Sequence, residues 1–393
     1  MPACRALPVP LGMTVKGGLW MCGVVLLPLL LAAADASNIK SDERVLFFPT
    51  LGRFLPGEDA WEIEIHAWVF EPESDSLKRA AALGALRRML GLPDDAADTA
   101  VFKERARAFL VDSEGGKRLV VRLAGATYRL PDSEANGHVA ARIRVPASAI
   151  RRSGGTAASG DSGMTIEAVL PEGDGRRMTG SVLFLDARGV SVISDIDDTI
   201  KVSQVTDKKA LLTNTFIREF KAVPGMAAAY RALADGGASF HYVTASPWQL
   251  YEPLAGFMSV SGFPAGTFHM KLFRMKDSSL LNLFASPEES KPAAIEPILR
   301  AGPDRRVILV GDAGEKDPEI YGGIARRFPG QIVHVFIRNF AAGGNSSRRF
   351  AMAFAGVPKD RWTVFSDPQV VLGLIREKWL TTRPLATRPG GGL

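Results

Sequence analysis

The chain has 393 residues, 46% of them hydrophobic, which is long enough for two domains with real cores and too apolar for a disordered protein. Its 48 Lys and Arg against 42 Asp and Glu leave a formal charge of +6, a modest excess that suits anionic lipid or phosphorylated substrates, although solubility alone explains it; no nucleic-acid partner is expected. Both cysteines, Cys4 and Cys22, lie within residues 1–36, so a product lacking that segment has no disulfide, thiol catalyst or cysteine-ligated zinc.

Residues 1–36 read as a signal peptide. Arg5 and Lys16 precede an apolar run over 19–34, which ends in Ala34-Asp35-Ala36, a small-residue cleavage pattern; Met13 offers an alternative start. Export to a periplasmic or secreted location is expected. An uncleaved membrane anchor is the alternative, because the run approaches the length that spans a bilayer.

Residues 37–186 carry mostly strand signals, at 44–48, 61–70, 118–123, 138–145, 164–170 and 178–185. They predict a β-sandwich domain, interrupted by helical patterns at 76–90 and 97–110 that form a hairpin inserted against one sheet. The stretch 151–163, rich in Gly, Ser and Arg, reads as a mobile loop. His66, on an alternating strand, reads as a packing residue rather than a ligand.

After Gly189 strands alternate with helices, which predicts an α/β domain over 187–380 with a parallel sheet covered on both faces. Strands are expected at 190–194, 239–244, 306–310 and 332–337, with an edge strand at 362–365. Helices are expected at 225–234, 292–300, 319–327 and 368–378, with Pro292 suited to a first helical turn. The tail 381–393 reads as disordered.

The first of these strands stops on Asp195-Ile196-Asp197-Asp198-Thr199, where neutral turn residues would normally follow a buried parallel strand. The bland reading is helix capping by Asp195 and Asp197. The second strand ends in Val243-Thr244-Ala245-Ser246-Pro247-Trp248 and the third in Val310-Gly311-Asp312-Ala313-Gly314-Glu315-Lys316-Asp317. Ligands of open α/β sheets bind in the crevice outside the carboxyl ends of the strands, so one site can collect all three segments. A P-loop is excluded because Lys316 is followed by Asp317 rather than Ser or Thr.

This order, D-x-D-x-T, a strand-terminal Thr or Ser, a Lys opening a helix, then G-D-x-x-x-x-D, resembles that of the haloacid-dehalogenase-like phosphatases. Ser194 to Lys201, Tyr242 to Tyr251 and Gly311 to Tyr321 more narrowly resemble the actin-patch-associated phosphatidate phosphatases, whose catalytic domain is related to that of the lipins. The resemblance covers about residues 187–378 and implies a Rossmann-like, haloacid-dehalogenase-type parallel sheet. It also implies that magnesium is bound by Asp195, the main-chain carbonyl of Asp197 and Asp312, with Asp317 orienting water or lysine from behind. Lys291 fits the motif lysine, with Lys276 and Lys316 as weaker candidates. Thr244 is the phosphate-oxygen donor that the motif asks for, and Ser246 is its rival in the same turn.

The residue chemistry agrees with that implication. A phosphomonoester dianion repels nucleophiles, so its hydrolysis needs fixed positive charge while an oxygen attacks in line. Asp195, ionised at neutral pH, is the candidate nucleophile. Asp197 is the candidate acid and base, a task that needs a raised pKa, for which neighbouring Asp195 and Asp198 give a like-charge reason. Lys291 offsets repulsion between Asp195 and phosphate. Thr199, near the phosphate position, and Asp198 are expected to hold the turn.

Between the first two motifs there is room for little more than a flap, 202–221, so the site is expected to stay open to a bulky or membrane-bound phosphate. The segment 269–284 mixes apolar and basic residues, including His269, Lys271, Phe273, Arg274 and Lys276, and suits either peripheral membrane contact or interior packing. The leading expectation is a magnesium-dependent phosphatase that converts phosphatidate to diacylglycerol and phosphate. The alternatives are a phosphatase for another phosphomonoester, or a non-catalytic lipid-binding module, against which the presence of both Asp195 and Asp197 argues.

Overall fold

The computed structural model describes residues 36–74, 76–154, 163–272, 287–340 and 347–380. The expectations for residues 1–35, for 155–162 of the loop, for 273–284 of the apolar and basic segment and for the tail 381–393 lie outside the described residues.

The N-terminal strands are β1 (Arg44–Phe48), β2 (Thr50–Leu55), β3 (Ala60–Glu71), β4 (Asp112–Ser113), β5 (Val120–Leu123), β6 (Ala126–Arg129), β7 (His138–Pro146), β8 (Gly163–Ala168) and β9 (Thr179–Leu185). These strands are linked in one nine-stranded sheet in the order β1-β3-β2-β9-β8-β5-β6, with β4 and β7 also paired to β3. The joint is β2, which pairs antiparallel with β3 and parallel with β9. Pro49, with no N–H to donate, separates β2 from β1. Gly52 breaks the alternation that would have revealed β2, because the Phe184 ring occupies the space of a side chain there, 2.7 Å from an ideal Cβ. Alternation along β3 sorts its side chains. Trp61, Ile63, Ile65, Ala67 and Val69 face the sheet's own core, while Trp68 and Phe70 join the core shared with the second sheet.

The first helices are α1 (Ser76–Met89), α2 (Ala100–Ala106) and α3 (Ala147–Arg152), and the Thr99 side chain caps α2 by accepting from the Phe102 amide. The hairpin α1–α2 does not join the core inside its own sheet. Its Leu83, Leu86, Phe102, Ala106 and Phe109 cluster with Phe216, Tyr230 and Trp248 of the C-terminal part.

That part is a six-stranded parallel sheet of β10 (Gly189–Ser194), β11 (Ser239–Pro247), β12 (Gly266–Lys271), β13 (Arg305–Asp312), β14 (Ile332–Arg338) and β15 (Trp362–Phe365), in the order β12-β11-β10-β13-β14-β15. The helices α4 (Lys208–Phe216), α5 (Met226–Asp235), α6 (Tyr251–Val260) and α10 (Pro368–Ile375) contribute to the core on one face, and α7 (Pro287–Ala301), α8 (Asp317–Arg327) and α9 (Ser347–Ala353) to the core on the other. Along β13, Ile308 and Val310 enter the first core and Val307 and Leu309 the second, which is why the strand reads as a continuous apolar run.

Two expectations need correction. The strand β12 went unpredicted because an edge strand need not be apolar throughout; it takes up His269, Met270 and Lys271 of the segment read as suiting either membrane contact or packing, while Leu272 beyond it is 53% exposed. Pro292 is not in a first turn, because α7 begins at Pro287, leaving Pro292 and Pro297 inside the helix. Among the described residues no helix is long and apolar enough to cross a membrane.

The two sheets meet at aromatic rings. His66 Nε2 and His138 Nδ1 lie 3.0 Å apart, and His66 packs edge-on to Trp248 at 4.6 Å, just after the end of β11. Burial pushes His66 down to about 3 and His138 down to about 4. Below the ordinary histidine value near 6.5 the unfolded chain therefore binds protons that the folded one refuses, so stability is complete above that value and is lost as pH falls toward 4. His138 alone should remove about 2 kcal/mol by pH 5. Urea unfolding midpoints at pH 7.5, 6 and 5 should fall steadily, and His138→Phe, stacked between Phe48 and Trp68, should flatten that slope. A midpoint unchanged between pH 7.5 and 5 would contradict this.

Candidate active site

The chain runs outward from β10 to β11 and β12, then returns to β13 on the other side of β10, so the strand order reverses beside the end of β10. The register sets Ser194 opposite both Tyr242 and Val310, and the Asp195 amide donates to the Val310 carbonyl at 2.9 Å. The residues after each strand thus share one crevice. They are closed in: Asp195 is 1% exposed, Asp197 7%, Lys291 1% and Asp312 0%. Most of these carboxylate oxygens are covered by their own partners.

Lys291, one turn into α7, lies 3.0 Å from Asp195 Oδ1, 2.5 Å from Asp317 Oδ1 and 3.1 Å from Glu315 Oε2. Thr199 Oγ1 donates to Asp195 Oδ2 at 2.8 Å. Burial, with Asp317, Glu315 and Asp197 adding repulsion, holds the Asp195 carboxyl well above the usual range against the pull of Lys291. Lys291 itself is held well above its ordinary value: burial opposes the charge, but Asp195, Asp317 and Glu315 outweigh it. Of the other lysines considered, Lys316 is exposed ahead of α8 and Lys276 lies outside the described residues.

Asp197 departs from expectation. Burial pushes its carboxyl up, but Lys201 at 2.7 Å and the hydroxyls of Ser203 and Thr244 bring it below the ordinary value instead of above it. The reason is local: the turn carries its own ammonium four residues on, which outweighs the like charges of Asp195 and Asp198. Ser203 Oγ donates to Asp197 Oδ1 at 2.6 Å, while Thr244 Oγ1 and Ser246 Oγ donate to Oδ2 at 3.1 and 3.3 Å. Both phosphate-donor candidates therefore converge on Asp197, and the Ser246 amide donates to Thr244 Oγ1 at 3.0 Å. Asp198 holds the turn. Its φ is +53°, its Oδ1 accepts the Ser203 and Gln204 amides and its Oδ2 accepts the Val205 amide, while Arg338 at the end of β14 donates to its carbonyl at 2.6 Å.

Asp312 Oδ1 accepts the Gly314 amide at 2.6 Å and the Glu315 amide at 3.2 Å, whereas its Oδ2 is buried without a hydrogen-bond partner. Burial, with Asp317 and Asp195 adding repulsion, raises its carboxyl well above the usual range. Asp317 Oδ2 accepts the Asp312 amide at 3.2 Å, and Gly311 is required there because a Cβ would meet that oxygen at 2.3 Å. Oxygens of Asp195, Asp312 and Asp317 lie within 4.8 Å of one another. The unpartnered oxygen and this all-oxygen donor set fit a hard divalent cation. Asp317, already bonded to Lys291 and the Asp312 amide, fits a supporting role behind it.

Lys201, Ser203, Glu315, Arg338 and Arg349 were not anticipated. Arg349 of α9 donates to the Ala313 and Glu315 carbonyls at 2.6 and 2.5 Å and so braces the Asp312 loop. Lys201 and Glu315 sit inside the motif segments and could have been found by asking what balances each buried carboxylate; Arg338 and Arg349 carry no local signal. Lys201→Met should leave Asp197 charged, buried and unpaired, lowering unfolding free energy by about 3 kcal/mol. Adding Asp197→Asn should recover more than half of that. Denaturant titration measures both, and a loss under about 1 kcal/mol, or simple additivity, would contradict the pairing.

With this geometry in hand, a family model described as phosphatidate phosphatase APP1, catalytic domain, matches residues 190–339. Phosphatidate phosphatase APP1 of Saccharomyces cerevisiae is 34% identical over 159 residues, which span 39% of this chain and 27% of that protein. An uncharacterised protein of Schizosaccharomyces pombe is 28% identical over 233 residues, 57% of this chain and 35% of its own length. The chain thus spans about a third or less of these curated relatives. A solved structure of D,D-heptose 1,7-bisphosphate phosphatase from Burkholderia thailandensis, 18% identical, covers 48% of this chain and 99% of that one at a TM-score of 0.24, too low to support any inference. The match over residues 190–339, which carry all three motif segments, makes this part of the chain similar to the phosphatidate phosphatase APP1 catalytic domain.

Proposed function

We propose that the chain is a magnesium-dependent phosphatase that hydrolyses phosphatidate to diacylglycerol and inorganic phosphate through an aspartyl-phosphate at Asp195. The observation that carries the reading is the setting of Asp195: one oxygen lies 3.0 Å from the Lys291 ammonium and the other is held by Thr199, beside a second carboxylate, Asp197, that is bonded to two strand-end hydroxyls. Phosphatidate as substrate is supported by the likeness to the yeast phosphatidate phosphatase APP1.

In this reading an oxygen of Asp195 attacks phosphorus as the bond to the leaving alkoxide breaks, and Asp197 gives that alkoxide its proton. Water then attacks phosphorus, Asp197 takes its proton, and the bond from phosphorus to Asp195 breaks to release phosphate. Thr244 and Ser246 donate to Asp197 before substrate binds; were either hydroxyl to turn to a phosphate oxygen, Asp197 would lose a donor and gain a neighbouring negative charge, both of which favour the protonated form that an acid needs. Lys291 counters the repulsion between Asp195 and phosphate. Magnesium, held by Asp195, Asp312 and the Asp197 carbonyl, would supply neutralising charge to the phosphate oxygens.

Purified protein with magnesium should release phosphate from phosphatidate in detergent micelles. Chelation should abolish release, and Asp195→Asn should lower it at least a thousandfold. Turnover of soluble phosphomonoesters with none of phosphatidate would overturn the lipid assignment. Lipid binding without turnover of any phosphomonoester would overturn the catalytic one.

A further inference from the structure

Arg105 lies in α2, outside the segment that matches the phosphatase family, yet only 4% of it is exposed. Its guanidinium donates to the carbonyls of Asn214, Thr215 and Arg218 at 3.4, 2.8 and 2.5 Å and lies 3.6 Å from a Glu219 carboxylate oxygen. These carbonyls belong to the last turn of α4 and the residues just after it, which have no helical donors of their own. A cation there also meets the negative end of the helix dipole; Nη1 serves the carbonyls while Nη2 faces Glu219.

Two paths lead from this anchor to Asp197. Asn214, whose carbonyl Arg105 holds, uses its side-chain amide to donate to the Ser203 carbonyl at 3.0 Å and to Gln204 Oε1 at 3.1 Å, and Ser203 Oγ donates to Asp197. On the other path, the Arg105 guanidinium stacks 3.6 Å from the centre of the Phe220 ring, over which Lys201 Nζ also lies at 5.0 Å, and Lys201 pairs with Asp197. Around it, Phe102 and Phe109 of the same hairpin pack on Phe216 of α4.

We infer that Arg105 is a positioning residue for Asp197: the helical insert of the N-terminal part holds α4 and the segment after it so that Ser203 and Lys201 fix the second carboxylate of the site. This makes a residue of the N-terminal part a structural component of the catalytic turn. The inference rests on the reading of Asp197 as the group that protonates the leaving oxygen.

The test uses the full chain with Arg105→Lys and Arg105→Ala, each assayed with magnesium on phosphatidate and on p-nitrophenyl phosphate. An alkoxide needs a proton to leave, whereas p-nitrophenolate leaves without one. A misplaced Asp197 should therefore lower kcat/KM, which reports the first transfer and not the hydrolysis that both esters share, at least tenfold more for phosphatidate than for the aryl ester. Loss of folded protein would lower both rates by one factor, and such a parallel loss, or no loss, would overturn the inference. Hydrogen–deuterium exchange decides it independently of activity. Amides 198–205 and 208–216 should exchange at least tenfold faster in Arg105→Lys while those of β10 and β13 keep their rates; unchanged exchange at 198–205 would overturn it. Wild-type protein inactive on both esters would instead refute the proposed function, and the exchange result would still judge the role of Arg105.

Discussion

The structure depends on a shortage of positive charge in a place that excludes water. Asp195, Asp312 and Asp317 are buried together with half-buried Glu315, and among the described residues the ammonium that pairs with them is Lys291. Carboxylates so placed repel one another and lose hydration, which is why Asp195, Asp312 and Glu315 are all pushed upward. A purely structural cluster would gain by replacing some of them with apolar side chains. Positive charge entering the crevice would offset that cost, and Asp312 Oδ2, buried without a partner, is suited to receive it. Asp197 is separated from this imbalance by its own lysine, so neighbouring carboxylates in one turn are shifted in opposite directions, Asp195 up and Asp197 down.

The rest of the fold keeps those charges in place. Parallel strands bring three separated segments to one edge, and Arg338 from a fourth strand fastens the turn after the first. Helix α9 braces the Asp312 loop through Arg349, and α2 reaches the flap through Arg105. Each arginine donates to backbone carbonyls of a loop at the site and so ties that loop to the element that carries the arginine.

Much of this was legible in the chain because strands buried on both faces announce themselves and because charge at their ends is anomalous. The runs at 190–194, 306–310 and 332–337, and the carboxylates Asp195, Asp197 and Asp312, needed nothing beyond that. The edge strand β12 was illegible since Gly266 and His269 interrupt its apolar pattern, and β2 was hidden by Gly52. The direction of the Asp197 shift was misread because carboxylates adjacent in sequence were weighed and Lys201, four residues on, was not. The seat of the α1–α2 hairpin could not be read at all, since an amphipathic helix declares that it has a partner without saying which. Arg105 is a lone basic residue among many until α4 is folded beneath it.

A covalent bond between Asp195 and phosphorus is the decisive step of the proposed reaction, and borohydride trapping detects it. Enzyme turning over substrate with magnesium is quenched and reduced, which converts an aspartyl-phosphate to homoserine, and the peptides are sequenced by mass spectrometry. The account predicts homoserine at position 195 that forms only with substrate. Homoserine at position 197, or none at either position during rapid turnover, would contradict it.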